Sequence, residues 1–236
     1  MTKSMSSLNS GYIALVIGAS GGIGSAFAAT LENDPRCAKL IRLSRRDNGF
    51  DLCDESSIAQ AAEKLAAEGI TFDLILCATG ALTIDGIGPE KTIRSIRGEA
   101  MLDQFVLNAI GPALVLRYFT PLLARERRSV TGFLSARVGS IGDNRLGGWI
   151  SYRASKAALN QIVHTAAIEI ARSLPDAVVA CLHPGTVATS LSERYGAGAT
   201  RLSPEDSARR MLSVLDHLAP QQSGGFYAYD GSAIEW

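Results

Sequence analysis

The stretch YIALVIGASGGIGSAFAATLEN, residues 12–33, decides the fold. Its first six residues, Tyr12–Ile17, are apolar and rich in β-branched side chains, which predicts a buried strand. The glycines of GASGGIG follow at once, and a helix is predicted over Gly22–Asn33. Glycines let a backbone approach phosphate groups, and a helix start presents free N–H groups and the positive end of its dipole. This order of strand, turn and helix predicts a pyrophosphate site.

The glycine spacing narrows the kind of phosphate site. It reads GxxxGxG rather than GxGxxG, and no GK[ST] follows as it would in a Walker sequence. Its position at the first strand of an α/β chain favours a dinucleotide. The residues of this turn predicted to hold it are Gly18, Ser20, Gly21, Gly22, Ile23 and Gly24. The uncharged region 11–31 has the length of a membrane helix, but its five glycines argue against one.

Short β-rich runs alternate with helical stretches along the chain. Several are continuously apolar, as in Leu74–Cys77 and Val178–Leu182, which is typical of strands buried on both faces of a parallel sheet. The predicted strands are Tyr12–Ile17, Lys39–Ser44, Phe72–Cys77, Val130–Ser135, Ala177–Leu182 and Gly225–Tyr229, with a weaker one at Phe50–Leu52. The alternation predicts an α/β fold with a Rossmann-type doubly wound parallel sheet of about seven strands and helices on both faces. We expect a single domain over residues 1–236, with a flexible N-terminus at residues 1–10.

Caps, glycines and prolines mark where helices begin and end. The predicted helices are Gly22–Asn33, Asp54–Glu68, Glu99–Ala124, Ser151–Leu174 and one that begins at Ser203. Gly111 and Pro112 should kink or break the long one. Glycines interrupt the periodicity at Gly80–Gly98 and Gly139–Gly148, which we interpret as functional loops, and the small, polar stretch Ala188–Leu202 is interpreted as a flap.

Composition excludes several classes of function. The chain has 236 residues, 47% of them hydrophobic, with 23 Lys+Arg against 23 Asp+Glu. A net charge of zero gives no electrostatic footprint for nucleic acid or for an anionic membrane surface. The four cysteines, Cys37, Cys53, Cys77 and Cys181, form no CxxC pair, which predicts a reduced cytoplasmic protein with neither a disulfide framework nor a zinc site.

The end of the second predicted strand indicates which dinucleotide binds. A NAD site usually has an acid there for the ribose hydroxyls, but this strand ends Leu43-Ser44-Arg45-Arg46. Arg45, with Arg46 as a second candidate, can pair with a 2′-phosphate through a planar fork of donors, which favours NADP over NAD. Alternatively, both arginines only solvate a loop. Asp51 is a candidate acceptor for the adenine amino group, or else a turn residue.

Tyr152 and Lys156 stand four residues apart in the run YRASK, so on a helix they share a face. A phenol ordinarily ionises near about pH 10, and a neighbouring ammonium lowers its pKa because it stabilises the phenolate. The pair is therefore a candidate for acid–base catalysis, although the same spacing also fits an exposed helix face.

Together these motifs resemble the short-chain dehydrogenase/reductase family over nearly the whole chain. The run SARVGSIGDNRLGGWISYRASKAALN, residues 135–160, looks most like the carbonyl-reductase branch that includes the C-factor-like and sniffer-like proteins. The run CATG at residues 77–80 stands where the family has Asn-Asn-Ala-Gly, and Asn108 matches the family's helix asparagine. The run Pro184–Thr189 matches its PGxxxT segment, which holds the nicotinamide carboxamide.

The resemblance implies hydride transfer between NADP(H) and a small-molecule carbonyl or alcohol substrate. It implies that Tyr152 is the general acid or base, that Lys156 lowers its pKa and holds the nicotinamide ribose, and that Asn108 anchors a water. The further cofactor contacts it implies are Leu52, Ala78, Thr79, Gly80, Pro184, Gly185, Val187 and Thr189. It also implies a homodimer or homotetramer formed through the long helices.

The chain departs from the family pattern at the serine that would orient the substrate oxygen. The usual catalytic position falls on Ala136, with Ser135 before it. Three alternatives stay open: Ser135 turns inward, which we favour, Ser140 reaches the site from its loop, or the site works without a serine. Cys77-Ala78 also replaces Asn-Asn. The altered serine motivates a second hypothesis, a dinucleotide-sensing or signalling protein with little or no turnover.

The remaining histidines and aromatic residues have structural interpretations. We expect His164 to be packed within the fold. His183, before Pro184, is expected to have a structural role, and the alternative is a contact with the nicotinamide end of the cofactor. We interpret Trp149, Trp236 and the aromatic residues of Phe226–Tyr229 as core or subunit contacts rather than as a substrate cage.

Overall fold

The computed structural model describes residues 5–189 and 201–236, and its centre is one parallel sheet. Its six strands are β1 (Tyr12–Ile17), β2 (Cys37–Leu43), β3 (Leu74–Cys77), β4 (Val130–Leu134), β5 (Val178–His183) and β6 (Phe226–Ala228). They lie in the order β2-β1-β3-β4-β5-β6, and every neighbouring pair is parallel. The strand order reverses beside β1, and in such sheets ligands bind outside the carboxyl ends of the strands at this reversal.

Helices cover both faces of the sheet. They are α1 (Gly22–Glu32), α2 (Arg45–Asn48), α3 (Glu55–Ala67), α4 (Gly98–Phe105), α5 (Gly111–Phe119), α6 (Ile150–Ala171) and α7 (Pro204–His217). Alternate residues of β1 enter opposite cores, because successive side chains of a strand point to opposite faces. Leu15 and Ile17 join the core under α3, α5 and α6, whereas Ala14 and Val16 join the core under α1 and α7. The predicted doubly wound α/β fold is confirmed.

The expected seventh strand is wrong. Phe50 and Leu52 are buried, but the backbone between them forms a turn. The Asp51 N–H donates to Ser57 Oγ and the Cys53 N–H donates to the Asp51 carboxylate, each at 2.9 Å. These local bonds use the donors that a sheet ladder would need.

The second strand ends one residue earlier than predicted. The Ser44 hydroxyl accepts the N–H of Asp47 at 3.1 Å, so Ser44 caps the short helix α2 instead of extending β2. The end of β2 therefore turns at once toward the cleft described below.

The long predicted helix is interrupted before its proline. A π-helical turn at Val106–Ile110 separates α4 from α5, while Pro112 lies in the first turn of α5, where its missing N–H costs little. A Cβ on Gly111 would lie 2.5 Å from Leu52 Cγ, so this glycine permits close packing rather than a break. In the described residues, Gly98–Leu122 is the one helical run long and apolar enough to cross a bilayer, with a mean hydropathy of 1.3 and 44% of that window buried. The core helix of a globular protein satisfies the same criterion.

The first residues that the structure describes pack against the rest of the fold. Met5 and Leu8 are each 2% exposed, and the N–H of Ser7 donates to the Asp216 carboxylate at 2.7 Å. Residues 5–8 thus make buried contacts within the segment 1–10 that we expected to be flexible, and residues 1–4 lie outside the described chain. Most of the predicted flap, residues 190–200, also lies outside it.

Candidate active site

A cleft of about 550 Å³ opens at the carboxyl ends of β1, β2 and β3. The predicted site residues that line it are Gly18, Ser20, Gly21, Arg45, Asp51, Leu52, Ala78, Thr79 and Gly80. They come from four separate stretches of the chain, which the parallel sheet brings to one edge. This arrangement places the predicted adenosine and pyrophosphate contacts in a single cleft.

The glycine turn forms the floor of the cleft through close backbone contacts. Gly18 has φ +83°, a conformation that other residues rarely adopt, and its N–H donates to Leu43 O at 2.8 Å. A Cβ on Gly24 would lie 2.1 Å from Gly18 O, so the turn can close this tightly only with glycine there. The N-cap residue of α1 is Gly21, which has no side chain to bond the first N–H groups of the helix, and this suits the binding of an anion at Gly22 and Ile23. The turn therefore fits a pyrophosphate.

The two arginines after β2 differ in their surroundings. Arg45 is exposed and lines the cleft, whereas Arg46 forms an ion pair with Asp47 at 3.2 Å. Arg45 is therefore the better placed of the two for a 2′-phosphate. Asp51 and Leu52 line the same cleft beyond α2, and Cys53 lies beside them.

The loop after β3 touches both the cleft and the candidate catalytic residue Lys156. The Ala78 N–H donates to Ile17 O at 2.8 Å, and a Cβ on Gly18 would lie 2.9 Å from Ala78 O. Gly80 has φ +148°, and a Cβ there would lie 3.0 Å from Lys156 Nζ. The altered Cys77 contacts Thr79, with its Sγ 3.3 Å from Thr79 Oγ1. This loop connects the cleft to α6.

Tyr152 and Lys156 are brought together on α6, as predicted, and both are buried. Lys156 Nζ lies 5.9 Å from the centre of the Tyr152 ring and donates to Leu134 O at 3.0 Å. Burial lowers the pKa of Lys156 to about 8. Burial also raises the pKa of Tyr152 above its ordinary value, which differs from the lowering expected from the lysine. In the protein alone, desolvation dominates because the ammonium is directed at a backbone carbonyl.

Asn108 lies in the π-helical turn, and both its side-chain oxygen and its side-chain nitrogen form hydrogen bonds. Its Oδ1 accepts the Ala81 N–H at 3.0 Å, and its Nδ2 donates to Ala81 O at 3.0 Å and to Gln104 Oε1 at 2.7 Å. Gln104 in turn donates to Leu82 O at 3.2 Å. These two amides fasten the loop after β3, and Gln104 had no signal in the sequence.

The two candidate serines both have internal partners. The Ser135 hydroxyl donates to Asn160 Oδ1 at 2.6 Å inside the interface between β4 and α6, and not toward Tyr152 as the favoured alternative expected. The Ser140 hydroxyl is buried and accepts the Asp143 N–H at 3.0 Å. Ala136 carries no hydroxyl. A substrate contact from Ser135 would require its buried bond to Asn160 to break.

The segment after β5 reaches the glycine turn. A Cβ on Gly22 would lie 2.7 Å from Thr189 Cγ2, which places Thr189 over the start of α1. Gly185 has φ +79° and a Cβ there would lie 2.8 Å from the Tyr229 ring. Pro184 O accepts the Ser207 hydroxyl at 2.7 Å, and Val187 is buried. These contacts put the predicted carboxamide segment beside the cleft.

The histidines have structural partners. His183 Nδ1 accepts the Arg137 N–H at 3.2 Å, and burial lowers the pKa of His183 to about 4, so the ring is neutral near pH 7. His164 Nδ1 lies 3.0 Å from Gly224 O, and its ring packs edge-on against Trp236. Trp236 also stacks on Phe226, but it is 43% exposed and is not a core residue.

Sequence reasoning missed Glu90, a buried acid in the loop Gly80–Gly98. Its carboxylate accepts the N–H of Ser151 at 3.2 Å and the Ser151 hydroxyl, directly before Tyr152. Burial raises the pKa of Glu90, but the hydrogen bonds from Ser151 outweigh it and the net pKa lies below its ordinary value. The partners are 61 positions apart, so no local pattern could reveal the contact.

Comparisons with known proteins agree with this geometry. The short chain dehydrogenase family model matches residues 12–199. The chain is 31% identical over 189 residues to a 1-hydroxy-2-glutathionyl-2-methyl-3-butene dehydrogenase of Rhodococcus, covering 80% of this chain and 79% of that protein. It is 37% identical over 137 residues to the C-signal protein of Myxococcus xanthus, covering 58% of this chain and 78% of that one.

Solved structures show the same architecture. An NADPH-bound carbonyl reductase from chicken fatty liver has a TM-score of 0.85 at 24% identity, covering 98% of this chain and 96% of that one, which bears on the fold alone. A short-chain dehydrogenase/reductase of Burkholderia multivorans with bound NADP has a TM-score of 0.74 at 26% identity, covering 95% and 99% of the two chains. With the glycine turn, the Tyr152–Lys156 pair and the family match in place, this chain belongs to the short-chain dehydrogenase/reductase family of oxidoreductases.

Proposed function

We propose that this protein is an NADP(H)-dependent oxidoreductase that interconverts a carbonyl and an alcohol. The observation that carries the proposal is the buried Tyr152–Lys156 pair, joined to the cofactor cleft through Gly80. When bound, the reduced nicotinamide supplies a hydride. The protein positions the reactants and supplies the proton.

Tyr152 is the general acid in this proposal. Because burial raises the pKa of its phenol, the side chain holds its proton at neutral pH and can donate it to a developing alkoxide. Lys156 stands beside the ring, and its ammonium favours the phenolate left after the transfer. The residues therefore suit reduction of a carbonyl.

The site works without a serine hydroxyl in this proposal, the third of the alternatives from the sequence. Ser135 donates to Asn160 and Ser140 accepts from Asp143, while Ala136 occupies the family position. Asn108 then acts as a positioning residue, since its side chain holds the Ala81 backbone next to Lys156.

NADP is the proposed cofactor. The turn from Gly18 to Gly24 and Thr189 hold the pyrophosphate region, and Arg45 binds the 2′-phosphate. The relative from Burkholderia multivorans was crystallised with NADP, which supports this choice. We further propose a cytoplasmic homodimer or homotetramer that contacts its copies through the long helices, where Leu102, Ile110 and Ile168 are exposed.

A sensing protein is the second candidate function. Ala136 at the serine position and the likeness to the C-signal protein favour it. The buried phenol of Tyr152 beside Lys156 is the observation against a sensing protein, because cofactor binding alone does not need a proton donor.

The test is NADPH oxidation against a panel of aldehydes, ketones and diketones, with the parent and the Tyr152→Phe variant. We expect turnover by the parent and a loss of about 10²- to 10⁴-fold in kcat for the variant, the usual contribution of a general acid. Retained NADPH binding by the variant shows that the fold is intact. Tight NADPH binding by the parent without turnover on any carbonyl contradicts the oxidoreductase proposal and favours the sensor.

A further inference from the structure

We propose that Trp149, held by Glu90, forms one wall of the substrate site and selects carbonyl compounds that carry a flat apolar group. This inference rests on the proposed function and adds the substrate class. It also replaces our interpretation of Trp149 as a core or subunit contact.

Trp149 extends the catalytic face of α6. Tyr152 and Lys156 share one side of α6, and Trp149 is the N-cap residue directly before that helix. The Trp149 and Tyr152 rings meet edge to face, with centres 6.5 Å apart. Lys156 lies toward the cofactor cleft, next to Gly80. In this proposal, a carbonyl compound bound at Tyr152 lies beside the Trp149 ring.

The backbone that places this ring is strained. Gly147, Gly148 and Trp149 follow one another with φ of +63°, +66° and +56°. Glycine adopts this left-handed region freely, but a bulky aromatic residue is rare there and costs about 1–3 kcal/mol. Such conformations persist where surrounding contacts enforce them, and they concentrate at functional sites.

Glu90 supplies those contacts to the backbone of Trp149 and to Ser151, two residues later. Its backbone carbonyl accepts the Trp149 N–H at 2.5 Å, and its carboxylate binds the N–H and the hydroxyl of Ser151. No side chain caps α6 from its own N-cap position, so Glu90 performs that role from a distant loop. One residue therefore fixes Trp149 and, through Ser151, the start of the helix that carries Tyr152.

The neighbours of Tyr152 include apolar and polar side chains. A small cavity beside Tyr152 is lined on the apolar part by Ile84, Ile87 and Pro89, and its polar lining includes Glu90, Asp103, Gln104 and Ser151. Asp103 also lines the larger cleft, so a carboxylate-bearing substrate would be repelled there. Flat, uncharged, apolar substituents fit this wall best.

The experiment compares acetophenone with 2-butanone, which differ in a phenyl against an ethyl group. The ratio of their kcat/KM values is measured for the parent, Trp149→Ala and Trp149→Phe. We expect Trp149→Ala to lower the phenyl-to-ethyl ratio by about 3- to 10-fold, the range of an aromatic contact, and Trp149→Phe to restore most of it. Tyr118→Ala serves as the matched control, because Tyr118 is another partly exposed ring, bonded to Glu55.

A second measurement keeps the inference testable whatever the turnover. Ligand-observed NMR follows binding of acetophenone to the parent and the variants in the presence of NADP⁺. Binding to the parent that Trp149→Ala weakens and Trp149→Phe retains supports the wall. An unchanged ratio in Trp149→Ala, or acetophenone binding that the variant leaves intact or that the parent lacks, overturns it. A parent that binds acetophenone but never turns it over contradicts the proposed function alone.

Discussion

The two halves of the site are held in different ways. On the cofactor side, neighbouring stretches of backbone pack against one another, as where Gly24 closes on Gly18. On the side that we propose is catalytic, buried side chains distant in sequence hold the backbone, as where Glu90 binds Ser151 and Asn108 binds Ala81. The cofactor half thus depends on small residues that permit contact. The catalytic half depends on polar side chains that make contact.

This difference predicts different failures. Adding atoms damages the cofactor half, because its contacts are already at van der Waals limits. Removing hydrogen-bonding groups damages the catalytic half, because buried polar partners are left unsatisfied. Substitutions in each half therefore test whether the two halves are held in these different ways.

Gly24→Ala should have the largest effect, because its Cβ would lie 2.1 Å from the Gly18 carbonyl oxygen and no flexible side chain can yield. We expect the free energy of unfolding to fall by about 3 kcal/mol. We also expect NADPH binding to become too weak to measure. Denaturant unfolding and fluorescence titration check this. Gly98→Ala is the control, since a Cβ there meets nothing within 4 Å. Equal stability of the two variants would show that the turn does not need its close contact.

Arg45→Ala should weaken NADPH binding and spare NADH. Loss of a charge-assisted hydrogen bond to a 2′-phosphate is worth about 1.5–3 kcal/mol, or roughly 10- to 100-fold in Kd. Titration with both cofactors measures the change in preference. Arg46→Ala is the matched control, because Arg46 already pairs with Asp47. A similar fall for NADH and NADPH would remove Arg45 from the 2′-phosphate site.

Lys156→Met should stabilise the cofactor-free protein at pH 7 while abolishing efficient turnover. The pKa of Lys156 falls from 10.5 to about 8 in the folded chain, so folding costs free energy whenever the unfolded lysine is protonated. The lowered pKa corresponds to a cost of about 3 kcal/mol for burying the ammonium, which Lys156→Met removes. Loss of the hydrogen bond to Leu134 O offsets part of this, so we expect the free energy of unfolding to rise by about 1–2 kcal/mol.

The sign of the pH dependence follows from the lowered pKa. Below about pH 8 Lys156 is protonated in both the folded and the unfolded state, so the full cost of burying the ammonium destabilises the parent. Between about pH 8 and pH 10.5 the unfolded chain binds more protons than the folded one, so the parent gains stability as the pH rises. The stability advantage of Lys156→Met disappears over this range. Urea unfolding at pH 7 and pH 10 measures both values. A pH-independent difference would contradict a buried, desolvated ammonium.

Glu90→Gln should have the smallest of these effects. Glutamine offers one side-chain acceptor where Ser151 presents two donors, and the negative charge near the start of α6 is lost. We expect about 1 kcal/mol less stability and a fall of a few-fold in kcat with KM for NADPH unchanged. Glu99→Gln, an exposed acid in the first turn of α4, is the control for charge alone. Matching behaviour of the two variants would deny Glu90 its positioning role.

The cofactor half was largely predictable from sequence because its determinants are local. The strand Tyr12–Ile17, the glycine turn and the start of α1 are consecutive. In the catalytic half only the Tyr152–Lys156 spacing was equally local, because helix periodicity fixes it. The same locality explains the misplaced end of β2, since the Ser44 cap competes with the strand over three residues.

The catalytic half was not predictable to the same extent. The bond between Glu90 and Ser151 spans 61 positions, and that between Ser135 and Asn160 spans 25. Neither leaves a periodic signal, since side chains so far apart meet only once the sheet has formed. The raised pKa of Tyr152 was missed for a related reason: a sequence shows the nearby lysine but not the burial that outweighs it.

Tracing the hydride tests directly whether Tyr152 and a bound nicotinamide act together on a carbonyl. The parent and Tyr152→Phe are incubated with acetophenone and NADPH deuterated at C4 of the nicotinamide, using each stereoisomer in turn. We predict that the parent transfers deuterium from one stereoisomer to the carbinol carbon, detected by mass spectrometry, and that Tyr152→Phe produces little labelled alcohol although it binds NADPH. Equal labelled product from both proteins would contradict the account.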